Sequence, residues 1–334
     1  MLRKFARALV PAALLLTSAC GGGSEQRTTL RVADQIGQLA LPLQASGEGK
    51  AIPYAVDWSN LLGGPKVAAA VTGRAVDLGT LGDTPTIFAQ AAGSRLRVVG
   101  VVMRVDPRDS IIALATRPDS PIRSLADLKG RSVSYAKGTT TQYLVHRALA
   151  SAGLGIDDID SVFLGPEGGV GSLIRGDVDV MALADPVLST QLRAGKVRIL
   201  AGGGEPLTRE GTYIIASEEA LADPKRSAAI GDFIQRLARS LLWINAHRDA
   251  YAAVLAPHFK VSPEVARAVV DRTPSVFVPI DDTVRRAYQD QANTFLKIGA
   301  LRKPIVAAEV FDDRYNALLP KIPDAITQTA RRTQ

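Results

Sequence analysis

Residues 73–85 (GRAVDLGTLGDTP) and 176–186 (GDVDVMALADP) spell one pattern twice, which constrains the chain to two similar α/β halves. In each copy a Gly stands where a preceding amphipathic run should stop, the place of a helix C-cap. A Val-Asp step, Val76-Asp77 or Val178-Asp179, then opens a short apolar strand. Six residues later comes a second aspartate, Asp83 or Asp185, with Pro85 or Pro186 close behind. Asp ahead of Pro is a helix-start signature, because the carboxylate caps free N–H groups and Pro is preset for the first turn. Each half therefore reads as helix, Gly stop, strand, loop and new helix N-terminus. Two such halves, each aiming a helix start outward from a strand end, imply two lobes with a ligand between them.

The rest of the chain can be laid around that frame. Strands are expected at 29–33, 54–58, 76–78 and 96–102, with helical patterns at 39–45, 66–72 and 86–92, an alternation that argues for parallel βαβ units. The apolar run 110–116 reads as the first crossing between lobes and 212–216 as the return. Between them, strands are expected at 132–135, 161–164, 179–183 and 197–200, and helices at 140–151, 172–176 and 187–193. From 218 onward the pattern is helical, with a long amphipathic stretch over 227–246 that packs back on the first lobe. The expected architecture is a two-lobed α/β fold of mainly parallel sheets with flanking helices and two hinge crossings. Lobe 1 takes 29–112 plus 214–334 and lobe 2 takes 113–213, the layout of a protein that closes on its ligand.

The first residues read as targeting rather than fold. Arg3, Lys4 and Arg7 make a basic start, and 8–16 is an apolar core too short to span a bilayer permanently. Thr17-Ser18-Ala19-Cys20 resembles a bacterial lipoprotein cleavage box, with Thr17 where Leu is usual. The expectation is a signal peptide over 1–19, a lipid on Cys20, and a polar tether over 20–28. That places the body on the extracytoplasmic face of the membrane; the alternative is a stray thiol in an ordinary signal peptide. Cys20 is the only cysteine, so an internal disulfide and a cysteine metal site are excluded. No later stretch is apolar enough to span a bilayer. The formal charge is +7, of which Arg3, Lys4 and Arg7 supply three, leaving about +4 on the body. That mild excess suits an anionic ligand or an acidic envelope surface. Basic residues are dispersed without interleaved aromatics, which argues against nucleic acid.

Val56-Asp57-Trp58, Gly63-Gly64-Pro65, Gly73-Arg74-Ala75-Val76-Asp77 and Gly82-Asp83-Thr84-Pro85 occur in an order that resembles the sulfonate/nitrate/taurine family of ABC-importer substrate-binding proteins. Ser120-Pro121-Ile122-Arg123-Ser124-Leu125 and Lys137-Gly138-Thr139 extend the likeness, which runs from about residue 30 to 220 and is nearest to the aliphatic-sulfonate binders. The resemblance implies a type II periplasmic-binding-protein fold, a small anionic solute, permease subunits as partners, a monomer and no cofactor. It places the first contact loop at Asp34-Gln35-Ile36-Gly37-Gln38, where Gln35 and Gln38 are donors or parts of an exposed turn. It also marks a departure. Those relatives carry Trp before the second aspartate and Tyr after the Pro, whereas this chain has Ala184 and Val187, which implies a different or wider pocket.

A helix N-terminus leaves about four N–H groups unpaired and carries roughly half a positive charge, so an anion docks there without a cationic side chain. Gly82, Asp83 and Thr84 supply one such end, with Asp83 expected to be consumed as the cap and Thr84 to offer a hydroxyl. Lys137, Gly138, Thr139 and Thr140 supply the other: Gly138 admits close approach, and Thr139 with Gln142 fits a capping box. Two well-capped helices without a ligand are the plain alternative. Asp185 either caps its own helix or meets a cationic group on the ligand, such as an amine. Trp58 lines the cleft or fills core, and Gly202-Gly203-Gly204 admits a ligand or forms a surface turn.

Catalytic readings fail. The stretch 165–172 lacks the lysine of a phosphate loop, and Ile174 stands where a dinucleotide fingerprint needs glycine. No nucleophile elbow exists, and His146, His247 and His258 are scattered. A solute receptor is the leading expectation. An enzyme on the same bilobal fold, and a sensor or a receptor for taurine, nitrate or a pyrimidine precursor, are the rivals.

Overall fold

The computed structural model describes residues 27–326, so the presequence expected over 1–19 and the lipidation site Cys20 lie outside the described residues. The chain runs β1 (Thr29–Asp34), α1 (Ala40–Ser46), β2 (Ala55–Asn60), α2 (Gly64–Thr72), β3 (Leu78–Gly82), α3 (Asp83–Ala91) and β4 (Leu96–Arg104). A second group follows: β5 (Ile112–Thr116), β6 (Ser132–Ser134), α4 (Thr140–Ser151), β7 (Asp160–Val162), α5 (Pro166–Arg175), β8 (Val180–Ala184), α6 (Val187–Arg193) and β9 (Arg198–Gly202). The remainder is β10 (Gly211–Ser217), α7 (Glu218–Ala222), α8 (Pro224–Ala246), α9 (Arg248–Phe259), α10 (Pro263–Asp271), β11 (Ser275–Val278) and α11 (Asp282–Lys297).

Two sheets result, one of six strands in the order β11-β4-β10-β3-β1-β2 and one of five in the order β7-β6-β8-β5-β9. Both are mixed rather than mainly parallel. β1 is parallel to β2 and β3, and β6 to β7 and β8, as the βαβ alternation requires. β10, however, enters antiparallel between β3 and β4, and β5 does the same between β8 and β9. The apolar runs expected as crossings are these inserted strands. The chain passes between sheets just ahead of each one, over 105–111 and 203–210. The tail also holds a strand where helix was expected. Ser275-Val276-Phe277-Val278 pairs with the edge of β4, a four-residue β-rich run too short to interrupt the helical pattern around it.

Each sheet buries alternate residues on opposite faces. Val99 and Ile214 belong to one core cluster while Val98 and Ile215 belong to another. In the smaller sheet Leu114 and Val180 face one cluster, and Ala115 and Met181 the other. A further cluster joins α1, α8, α9 and α10 through Leu41, Ile244, Tyr251, Leu255 and Val269.

The repeated Val-Asp step is a strand lock. The Asp77 carboxylate accepts the Arg31 N–H at 2.9 Å while the Asp77 N–H donates to the Arg31 carbonyl at 2.8 Å. The Asp179 carboxylate accepts the Ser132 N–H at 3.1 Å, and its N–H donates to the Ser132 carbonyl, also at 3.1 Å. In both sheets the aspartate thus pins the foot of one strand to its parallel neighbour. The glycine stops are less uniform. Gly176 caps α5 at φ 89°, but at Gly73 the left-handed residue is the following Arg74, at φ 61°.

Candidate functional site

Between the two sheets lies a cleft of about 680 Å³, within the roughly 300–1,000 Å³ usual for small-molecule sites. Helix N-termini from both sheets line it. Gly63 and Gly64 open α2, Gly82 precedes α3, Thr139 and Thr140 open α4, and Gly165 precedes α5. Each end presents unpaired N–H groups and a partial positive charge, so four helix dipoles bias one cleft toward an anion. Sequence gives local reasons for these ends: Pro65, Pro85 and Pro166 stand in first turns, where a missing N–H costs nothing.

Of the expected site residues, the structure brings Gln35, Gln38, Gly82, Thr139, Thr140 and Asp185 to the cleft wall. Gln35 is committed internally: its amide donates to the Thr80 carbonyl at 2.6 Å and its oxygen accepts the Gly63 N–H at 3.0 Å. It therefore shapes the α2 turn. Thr139 donates to the Ala136 carbonyl at 2.7 Å and makes no side-chain cap. Gln142 reaches back to the Gly138 N–H at 2.8 Å instead, so the expected capping box is displaced by one residue.

Four expected residues stand off the wall. Thr84 is fully buried, and its hydroxyl donates to Asp83 at 3.1 Å while accepting Gln291 at 2.7 Å. It has no free hydroxyl for a ligand, because the first helical turn rotates it into the core. Asp83 is consumed, though from the first helical position rather than as the cap, which is Gly82. Its carboxylate accepts from Thr84, from Thr140 at 3.3 Å and from the Gly211 N–H at 3.5 Å. Burial raises its pKa, an effect partly offset by these donors. Lys137 is exposed, with its ammonium over the Phe163 ring at 5.4 Å. Gly138 takes φ 73° in the turn before α4. The other open readings are also decided. Trp58 is half exposed beside Phe233, away from the cleft. Gly203 and Gly204 pack against Ile112 and the Arg108 backbone, where a Cβ would collide.

Asp185 braces its own helix and faces an arginine of the same chain. One oxygen accepts the Ser189 N–H of α6 at 2.9 Å, while the other lies 3.6 Å from the Arg272 Nε and accepts no hydrogen bond among the described residues. Burial pushes its carboxyl up, with Ser189 and the nearby arginines pulling the other way.

Sequence reasoning missed Arg104 and Glu210. Arg104 closes β4 and reaches the cleft floor with its side chain 12% exposed. It donates to the Ser275 hydroxyl at 2.6 Å, and the Glu210 carboxylate lies 3.9 Å away. Burial pulls the guanidinium below its ordinary value, and burial raises Glu210. The signal was available as a cation ending a strand that is apolar from Val98 to Met103 and points to the carboxyl edge of the sheet. Gly165 was also passed over, because 165–172 was tested only as a phosphate loop.

The two layers touch beside the cleft: Thr140 donates across to Asp83, and Arg272, just past the end of α10, approaches Asp185. The arrangement can hold an anionic head on helix ends and Arg104, with carboxylates close enough to tune or oppose it.

Residues 63–250 match the family described as NMT1/THI5 like. The chain is 31% identical over 270 residues to an aliphatic sulfonates-binding protein of Escherichia coli (strain K12), covering 80% of this chain and 83% of that protein. It is similar to the crystal structure of the periplasmic aliphatic sulphonate binding protein SsuA from Escherichia coli, with TM-score 0.76 and 28% identity over 84% of this chain and 91% of that one. It is also similar to the alkanesulfonate-binding protein SsuA from Xanthomonas axonopodis pv. citri bound to MOPS, with TM-score 0.75 and 27% identity over 85% and 98% of the two chains.

Proposed function

The chain belongs to the NMT1/THI5-like family, and from that premise we propose that it is an extracytoplasmic receptor for an aliphatic sulfonate, delivering it to an ABC import permease. One observation carries the reading: helix N-termini from both sheets converge on a single cleft whose floor holds the buried Arg104. A tetrahedral monoanion fits that field without covalent chemistry. The relatives named as sulfonate-binding proteins support the same reading.

Around that core stand the finer proposals. The lobe built on the six-stranded sheet and the lobe built on the five-stranded sheet close on the ligand about the crossings at 105–111 and 203–210. Gly82, Thr139 and Thr140 present the helix ends, and Gln35 holds the α2 turn. A lipid on Cys20 holds a monomer at the outer face of the membrane. Binding without turnover separates this reading from an enzyme on the same fold.

The test is a thermal-shift and calorimetric panel of alkanesulfonates, taurine, nitrate and a pyrimidine. A true ligand at 100 times its Kd stabilises by about 2.7 kcal/mol. Alkanesulfonates should bind, return chemically unchanged by mass spectrometry, and lose most affinity in Arg104→Gln. Binding of nitrate or the pyrimidine alone, or a product peak, would overturn it. The Asp185 oxygen that accepts no hydrogen bond among the described residues favours a second reading, a sulfonate that also bears an amine. Taurine binding well ahead of ethanesulfonate would select it.

A further inference from the structure

Behind the cleft floor a side cavity of about 160 Å³ opens into the six-stranded lobe. Its mouth is polar and continuous with the cleft, since Gln38, Arg104, Asp185 and Thr212 belong to the walls of both. The rest of its wall is mainly apolar, with Thr80, Thr273 and Ser275 as the polar exceptions. Leu237, Leu241 and Ile244 of α8, Tyr251 and Leu255 of α9 and Val269 of α10 close it against the sheet. These helices bridge two core clusters without filling the space between them. Close-packed interiors leave few voids larger than a water molecule, so an apolar cavity of this size beside a binding cleft calls for an occupant. A cavity of about 150 Å³ lined by Leu, Ile and Phe stays dry and accepts benzene.

We propose that this cavity seats the apolar tail of the ligand whose anionic head lies in the cleft, so that the protein selects sulfonates carrying a phenyl-sized or hexyl-sized group. The inference rests on the receptor reading above. The polar mouth orders the ligand: the head cannot enter a floor of leucine, isoleucine and valine, and Arg104 stands at the junction to hold it outside. The tail gains by leaving water, at about 0.8 kcal/mol per methylene or roughly fourfold in affinity. That gain should end near about six carbons, when the cavity is full.

Calorimetry across ethane-, butane-, hexane-, octane- and benzenesulfonate tests this. Affinity should climb roughly fourfold per methylene and level off near hexane. Val269→Phe and Leu241→Trp, which fill the cavity, should flatten the climb while ethanesulfonate binds each variant as it binds the wild type, which also reports that the variants fold. Equal affinity for ethane- and hexanesulfonate, or a climb untouched in folded variants, overturns the tail site and leaves the sulfonate reading standing. If no sulfonate binds at any length, that reading fails, and benzene alone decides the cavity. Methyl NMR shifts at Leu241, Ile244 and Val269 on adding benzene support it, and their absence overturns it.

Discussion

Asp83 and Asp185 hold the same place in the two copies of the repeat, six residues beyond a strand-locking aspartate, yet their surroundings differ. Asp83 accepts from Thr84, Thr140 and Gly211 and stands off the cleft wall. Asp185 lies on the wall with one oxygen bonded to Ser189 and the other facing Arg272 at 3.6 Å without a hydrogen bond among the described residues. The first copy has become architecture, and the second keeps hydrogen-bonding capacity at the cleft. Satisfied polar groups fix a structure, whereas an unsatisfied one on a cavity wall is a place for a ligand to act.

The largest expected effect separates the strand feet. Asp77→Ala removes the carboxylate that pairs with Arg31 at 2.7 Å and Arg226 at 3.2 Å, leaving Arg226 with Glu219 and Asp223. It should cost about 3 kcal/mol by denaturant unfolding, the low end for a broken buried pair because both arginines keep access to water. Asp179→Ala breaks no ion pair, only the bonds its carboxylate accepts from the Ser132 N–H and hydroxyl, and should cost about 1.5 kcal/mol. Asp77 also carries a pH dependence. Burial alone would raise the Asp77 carboxyl, but hydrogen bonds from Arg31 and the charges of Arg31 and Arg226 outweigh it and hold the group down. Its stabilisation is therefore complete above the unfolded value near 3.9 and lost as pH falls through the lower folded value. Equal costs for the two variants would break the comparison at the feet.

At the strand tips, Asp83→Asn puts an amide donor among N–H and O–H donors and should cost about 2 kcal/mol. Asp185→Asn keeps the oxygen facing Ser189 but loses the charge facing Arg272, and should cost about 1 kcal/mol. It also acts on binding. Burial raises the Asp185 carboxyl, and a bound anion raises it further, so binding takes up a proton and tightens as pH falls. Removing the charge should tighten a simple alkanesulfonate about threefold to tenfold at pH 7, roughly one screened charge contact, and flatten the pH profile. An amine-bearing sulfonate should instead weaken. Calorimetry at pH 5.5 and 7.5 reads both.

What the sequence disclosed follows the same division. Strand starts, the helix ends at Gly82 and Thr139, and the paired locking aspartates are written in local patterns of turn residues and apolar runs, because local sterics and capping decide them. The antiparallel insertion of β5 and β10 was hidden, since an apolar strand buried on both faces looks alike whichever way it runs. Thr84 was misjudged because a hydroxyl at a helix start faces core or cleft according to one turn of rotation, which Gln291, far along the chain, decides. Arg104 and Glu210 meet only after the chain has left one sheet and returned, so no spacing announces them.

The smallest effect probes the contact that joins the two copies. Thr140 of α4 donates to Asp83 across the cleft at 3.3 Å, a long bond that contributes at the low end of the usual range, about 0.5 kcal/mol. Thr140→Val keeps the shape and removes the donor. If the lobes separate without ligand, this bond exists only in the closed form. Its loss then appears in binding alone, as a roughly twofold to threefold weaker Kd carried by faster dissociation. Unfolding of the ligand-free protein is then unchanged. If the lobes stay together without ligand, the same 0.5 kcal/mol appears in the unfolding of the free protein and the dissociation rate is untouched. Stopped-flow dissociation of a bound sulfonate beside denaturant melts of the free chain separates the cases. An effect on melting alone would make Thr140 another piece of Asp83's fixed setting and remove the hinge from the account.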